Sequence, residues 1–147
     1  MGRILAVDYG RHRLGLALSD ELGVTARGLS TLEASGLQKA VAGVRERAQG
    51  HCVCEILIGM PLNMDGTTGP MAEAVKIFGD AVAFASGIPV VYWDERLTSV
   101  SAKRSAREMG KRTKGDKGTV DRLAATLLLE NYLRAQQSAK GEDVARD

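Results

Sequence analysis

The spacing of hydrophobic positions changes period several times along the chain. Residues 3–7, Arg-Ile-Leu-Ala-Val, form a short apolar run that ends on Asp8, and a second run restarts at Leu14 after a turn around Gly10. Residues 3–8 and 14–19 therefore predict two strands and residues 24–32 a third, with connections short enough for antiparallel hairpins. Over residues 36–49 the period becomes helical, with Leu37, Ala40, Val41, Val44 and Ala48 on one stripe. The run CEILIGMP is too short for a helix and is closed by Gly59 and Pro61, which predicts a buried strand. The loop LNMDGTTG follows. Its Thr68 or Gly69 caps a helix with Pro70 in the first turn, Met71, Val75, Phe78 and Val82 facing inward, and an end near Gly87. IPVVYW is the fifth strand and runs into Asp94 and Glu95. Thr98 or Ser99 opens a helix to about Met109, GKRTKGDKG is a basic loop, and a last helix runs from about Thr119 to Gln136. Val120, Leu123, Leu127 and Leu128 are its expected inward positions.

Three meander strands followed by helix-separated strands predict an α/β fold. Its mixed five-stranded sheet has three antiparallel meander strands plus two parallel strands, flanked by helices. A length of 147 residues is about one domain and enough for a real core. The expected organisation is a single domain over 1–137 and a polar C-terminal tail over 138–147. No apolar stretch is long enough to span a membrane, and no signal peptide is visible, so the expectation is a cytoplasmic protein with no membrane partner. Cys52 and Cys54 are one residue apart, too close for an ordinary disulfide. With His51 they make three zinc-ligand candidates where about four are needed, so they read as structural or free thiols.

Net charge is only +2, but its distribution is uneven. Between Arg96 and Arg122 lie Lys103, Arg104, Arg107, Lys111, Arg112, Lys114 and Lys117, against Glu108, Asp116 and Asp121. Such a segment suits a polyanionic partner, and it equally suits a solvated helix face. Three places put carboxylates at element ends: Asp8, the Asp94–Glu95 pair and Asp121. Ligand sites in open α/β sheets lie beyond the carboxyl ends of parallel strands. If the last helix starts over that edge, three acids converge. Convergent acids raise each other's pKa, and a hard divalent cation relieves the repulsion. Each acid has a plainer reading as well. Asp8 precedes a turn, Asp94 and Glu95 can sit in solvent, and Asp121 is a favourable charge near a helix start, four residues after Lys117. Acids for metal beside bases for phosphate suggest a nuclease. There is no Gly-x4-Gly-Lys-Ser/Thr, His12 and His51 show no metal spacing, and aromatics are too sparse for a base-stacking platform.

Four blocks in order, VDYGRHRLGLALSD, IGMPLNMDGT, DERLTS and KGTVDRLAATLLLENYL, together resemble the YqgF (RuvX) family from about residue 4 to 133. That family belongs to the ribonuclease H-like superfamily. Its members are described as Holliday junction resolvases or as nucleases that process the 5′ end of pre-16S ribosomal RNA. The resemblance implies catalysis and metal binding by Asp8, Glu95 and Asp121, with one or two Mg2+ or Mn2+ ions, Glu95 being favoured over Asp94. It makes Arg96 a candidate phosphate contact, and Arg13, in the Arg-x-Gly position, either a brace for the turn or a substrate contact. Asn63 and Asp65 lie in the loop after the fourth strand near the same edge, where Asp65–Gly66 also reads as a structural turn. Lys117 and the loop through Lys111, Arg112 and Lys114 would hold phosphates. The implied partner is nucleic acid, RNA and/or branched DNA, and the implied assembly a monomer or homodimer. Resolvases of the superfamily carry a carboxylate near the end of strand four. Here that strand ends Gly59-Met60-Pro61, so junction cleavage does not follow from fold. Two other readings compete. One is a non-cleaving RNA-binding ribosome-assembly factor. The other, a sugar-kinase or actin-like ATPase, starts with a similar hairpin but needs two such domains.

Overall fold

Ile4, Leu5, Ala6 and Val7 are all buried, and so are Leu14, Leu16, Ala17 and Leu18. Consecutive burial of this kind requires a strand covered on both faces. The computed structural model describes residues 2–95 and 117–146, with only the backbone course for 117–120 and 140–146. In it the two runs are β1 (Arg3–Asp8) and β2 (Arg13–Ser19), followed by β3 (Ala26–Glu33), α1 (Leu37–Gly50), β4 (Val53–Met60), α2 (Pro70–Ser86), β5 (Val90–Asp94) and α3 (Lys117–Arg146). The helix expected over 99–109 and the basic loop after it lie outside the described residues.

The sheet order is β3-β2-β1-β4-β5. β1–β2 and β2–β3 are antiparallel, and β1–β4 and β4–β5 are parallel, as the meander-then-crossover order predicts. One face carries α1 and α2 on Leu5, Val7, Leu16, Ile58 and the fully buried Phe78. The other carries α3 on Ile4, Ala6, Ala17 and Leu57. Local signals end the crossover helices. α2 starts with Pro70 after Gly69 and stops at Gly87, whose left-handed φ of 71° lets its N–H reach the Ala83 carbonyl at 3.0 Å.

α3 departs from expectation in two ways. It continues to Arg146, ten residues past the expected end, because Ala, Gln, Lys, Glu and Arg dominate that stretch and no proline interrupts it. Its inward face is Ala124, Ala125, Leu128, Leu129, Tyr132 and Leu133, whereas Leu123 is 43% exposed and Leu127 only half-buried. The run LAATLLLENYL is apolar on more than one face, so periodicity alone does not orient it. The alanines decide instead, since their small side chains let the helix lie close on Ala6 and Ala17.

Candidate active site

Side chains alternate along a strand, so Asp8 shares the α3 face with Ile4 and Ala6. It ends β1 and is 8% exposed. Its neighbours on both sides are glycines. Gly15 of β2 is its antiparallel partner, and continuing the register from Val7 and Ile58 brings Gly59 of β4 beside it. Each glycine is a vacancy that another acid fills. A Cβ on Gly15 would collide with the Asp121 carbonyl, its carbon lying 2.6 Å away. A Cβ on Gly59 would lie 2.5 Å from Glu95 Oε1 and 3.1 Å from its Cγ. Glycines inside strands mark close approach, and these two admit Asp121 on one side of Asp8 and Glu95 on the other.

The same alternation separates Asp94 from Glu95. Val91 and Trp93 pack on the α3 side, Val90 and Tyr92 on the other. Asp94 continues the second series, while Glu95, just past the strand, lies over Gly59 on the α3 side. Asp8, Glu95 and Asp121 therefore stand on one face at one end of the sheet. Asp121 is held there by the helix that carries it. Tyr132 donates to Glu55 Oε1 at 2.6 Å and Trp93 Nε1 to Asn131 Oδ1 at 3.0 Å, with the two rings edge to face at 5.1 Å. Burial, reinforced by the Glu55 carboxylate, pushes the Tyr132 hydroxyl well above its ordinary pKa.

Arg13 Nε lies 3.3 Å from Asp121 Oδ2, so Arg13 braces an acid rather than the turn alone. Three carboxylates with no thiol or imidazole are a donor set suited to magnesium or manganese. Among the described residues, no three such side chains are gathered closely enough to hold a metal ion between them. In this arrangement one Asp121 carboxylate oxygen is paired with the Arg13 guanidinium.

The loop after β4 closes on itself. Asn63 Nδ2 donates to Thr67 Oγ1 at 3.0 Å, and Asp65 Oδ1 accepts from the Thr67 N–H and hydroxyl at 3.0 and 2.6 Å, with Gly66 at φ 87°. Asp65–Gly66 is thus a structural turn, and the Asn63 amide is engaged in it. Arg96, Lys111, Arg112 and Lys114 lie outside the described residues, as does the side chain of Lys117, which opens α3. Gly15 and Gly59 escaped the reading of candidate residues, although a glycine inside an apolar strand run was the available signal.

A family model described as RuvX, Holliday junction resolvase, matches residues 2–135. A "Putative pre-16S rRNA nuclease" of Ruminiclostridium cellulolyticum is 42% identical over 132 residues, 89% of this chain and 93% of that one. The protein of the same name from Heliobacterium modesticaldum is 38% identical over 147 residues, 99% of this chain and 97% of its own. Among solved structures, T. thermophilus RuvC in complex with a Holliday junction substrate is similar with a TM-score of 0.57, over 92% of this chain and 96% of that one, at 19% identity. The yeast mitochondrial Holliday junction resolvase Ydc2 gives 0.55 over 95% and 82% at 9% identity. At such identities these structures show a shared fold, the ribonuclease H-like one that the strand order describes.

Proposed function

Because the chain belongs to the RuvX family, we propose that it is a divalent-metal-dependent nuclease that hydrolyses nucleic-acid phosphodiester bonds. One observation carries this reading: Asp8, Glu95 and Asp121 share one face at one end of the sheet, two of them admitted by glycines that flank the third. Those three residues would hold one or two Mg2+ or Mn2+ ions, which supply an activated water and neutralise charge on the leaving oxygen. The chain's own part is positioning. Asp8 is fixed in the sheet, Glu95 is seated on Gly59, and Asp121 is carried by a helix anchored at Tyr132 and Asn131. Arg13, which pairs with Asp121, would be available to phosphate if a bound cation took over that carboxylate. Arg96, Lys111, Arg112, Lys114 and Lys117 supply further cations along the chain.

The substrate we favour is precursor 16S ribosomal RNA, trimmed at its 5′ end, because relatives about 40% identical over most of the chain carry that name. A cytoplasmic location follows from that substrate. Branched DNA is the second reading, favoured by the description of the matching family. The test is cleavage of a matched panel with magnesium or manganese: a ribosomal precursor, a single-stranded RNA and a four-way DNA junction. We expect the precursor to be cut, and Asp8→Asn to lose activity on every substrate. Equal cleavage by wild type and Asp8→Asn would remove Asp8 from the chemistry. Cleavage of the junction alone would transfer the assignment to DNA.

A further inference from the structure

Beside the acids, on the β2–β3 flank of the same sheet end, lies an open cavity of about 530 Å³ lined by His12, Arg13, Glu33, Ala34, Ser35 and Lys39. It is formed by the turn leading into β2 and the connection from β3 to α1, tied together where the Ala34 N–H donates to the His12 carbonyl at 3.0 Å. Its volume falls in the ordinary range of small-ligand sites. Its lining is not that of an apolar ligand. Among the described residues, Ala34 is the only apolar lining residue and no Phe, Tyr or Trp ring is present, so the lining is dominated by polar and charged groups. What it offers is a guanidinium, an ammonium, an imidazole and a hydroxyl, with Lys39 Nζ 3.4 Å from Ser35 Oγ. These donors suit phosphate oxygens. Arg13 connects the cavity to the acids through its contact with Asp121. Arg13 and Glu33 are direct partners across β2 and β3. The cavity is therefore one to two strands across and two residues along from Asp8, on the order of 10 Å away.

We propose that this cavity is a phosphate subsite. It holds the sugar–phosphate backbone of the nucleic-acid strand one or two nucleotides from the bond cleaved at the acidic edge. The proposal rests on the nuclease reading and adds the path of the strand, which leaves Asp8 across β2 toward β3. Lys39 and Arg13 supply the permanent positive charges. His12 and Ser35 add hydrogen bonds, and Glu33 opposes the bound phosphate. Recognition here is of backbone and independent of sequence.

The test is binding of a fluorescently labelled single-stranded RNA in chelator across a potassium chloride series, which needs no cleavage. Lys39→Gln is expected to weaken binding and to lower the salt slope by about 0.7, one phosphate contact on a single strand. Glu33→Gln is expected to tighten binding. Lys76→Gln, on the outer side of α2, is the control for a lysine away from the site. If Lys39→Gln changes affinity and slope no more than Lys76→Gln does, the subsite is overturned, whatever the cleavage panel shows. Lys39-dependent binding without metal-dependent cleavage by wild type would overturn the nuclease reading and leave the subsite standing.

Discussion

Gly15 and Gly59 flank Asp8 in the same way but press on different things, and substitution separates them. The neighbour of Gly15 is the Asp121 backbone, which cannot yield without moving α3, whereas Gly59 meets the Glu95 side chain. Gly15→Ala is expected to cost about 1–3 kcal/mol of stability, read by urea unfolding. Gly59→Ala should keep the wild-type melting temperature and lose cleavage on the order of 100-fold, since it displaces one acid by about an ångström. Unchanged cleavage by folded Gly59→Ala would mean that Glu95 has no part in the reaction. Arg13 makes a second prediction at this scale. A partly exposed ion pair of this kind contributes up to about 1 kcal/mol, so Arg13→Gln is expected to raise Mn2+ affinity by as much as about 5-fold, measured by electron paramagnetic resonance without substrate. Weaker binding would make Arg13 a support for the metal-competent arrangement rather than a competitor of the ion. Asp8, the Asp94–Glu95 pair and Asp121 stood out in sequence because each lies at or near an element end, and only the family resemblance singled out Glu95. The contact between Arg13 and Asp121 was not legible there, because 108 positions separate them and no local pattern encodes which side chain an acid will face.

Elements followed hydrophobic period closely where burial is simple. β1 and β2 are largely continuous apolar runs, β4 is one from Ile56 to Ile58, and α1 and α2 bury most of the stripe their spacing predicts. Legibility fell where a helix is apolar all round. In α3 the inward face was set by how close two alanines let it approach the sheet, a tertiary property that spacing does not carry. Its anchoring at Tyr132 yields a prediction with a sign. The Tyr132 pKa is raised in the folded state, so its contribution is fully present below the ordinary tyrosine value and is lost as pH climbs above about 10. Between the two values the unfolded chain ionises while the folded one does not. Tyr132→Phe is expected to flatten this alkaline loss while lowering stability at neutral pH by about 1 kcal/mol, the worth of one hydrogen bond. Thermal melts from pH 7 to 11 measure both. An alkaline profile identical to wild type would place the sensitivity elsewhere.

Across the whole molecule the two ends of the sheet have separate tasks. Asp8, Glu95, Asp121 and the cavity occupy one end, and the exposed thiols Cys52 and Cys54 lie at the start of β4 at the other. The rise along β4 puts roughly 15–25 Å between them. Labelling both cysteines with a maleimide is therefore expected to leave RNA affinity and cleavage unchanged, and a large loss would mean that nucleic acid also uses the far end. The mixture of antiparallel and parallel strands could be argued from element order alone, whereas their order in the sheet came from the structure. The shared face of the acids could not be argued that way, because it depends on the residue at which β5 ends. The path of the chain through the site has a further consequence. Asp8 comes from the first strand, Glu95 from the end of the fifth and Asp121 from the last helix, which also covers Ile4, Ala6 and Leu57. During synthesis the acids therefore emerge in the order in which the sheet is laid down, and the third arrives only with the final segment. A growing chain can complete its sheet while still tethered to the ribosome, but its acidic cluster stays incomplete until the C-terminal helix is free to dock. A chain that stops before this helix would therefore carry two of the three acids and leave Ile4, Ala6 and Leu57 uncovered.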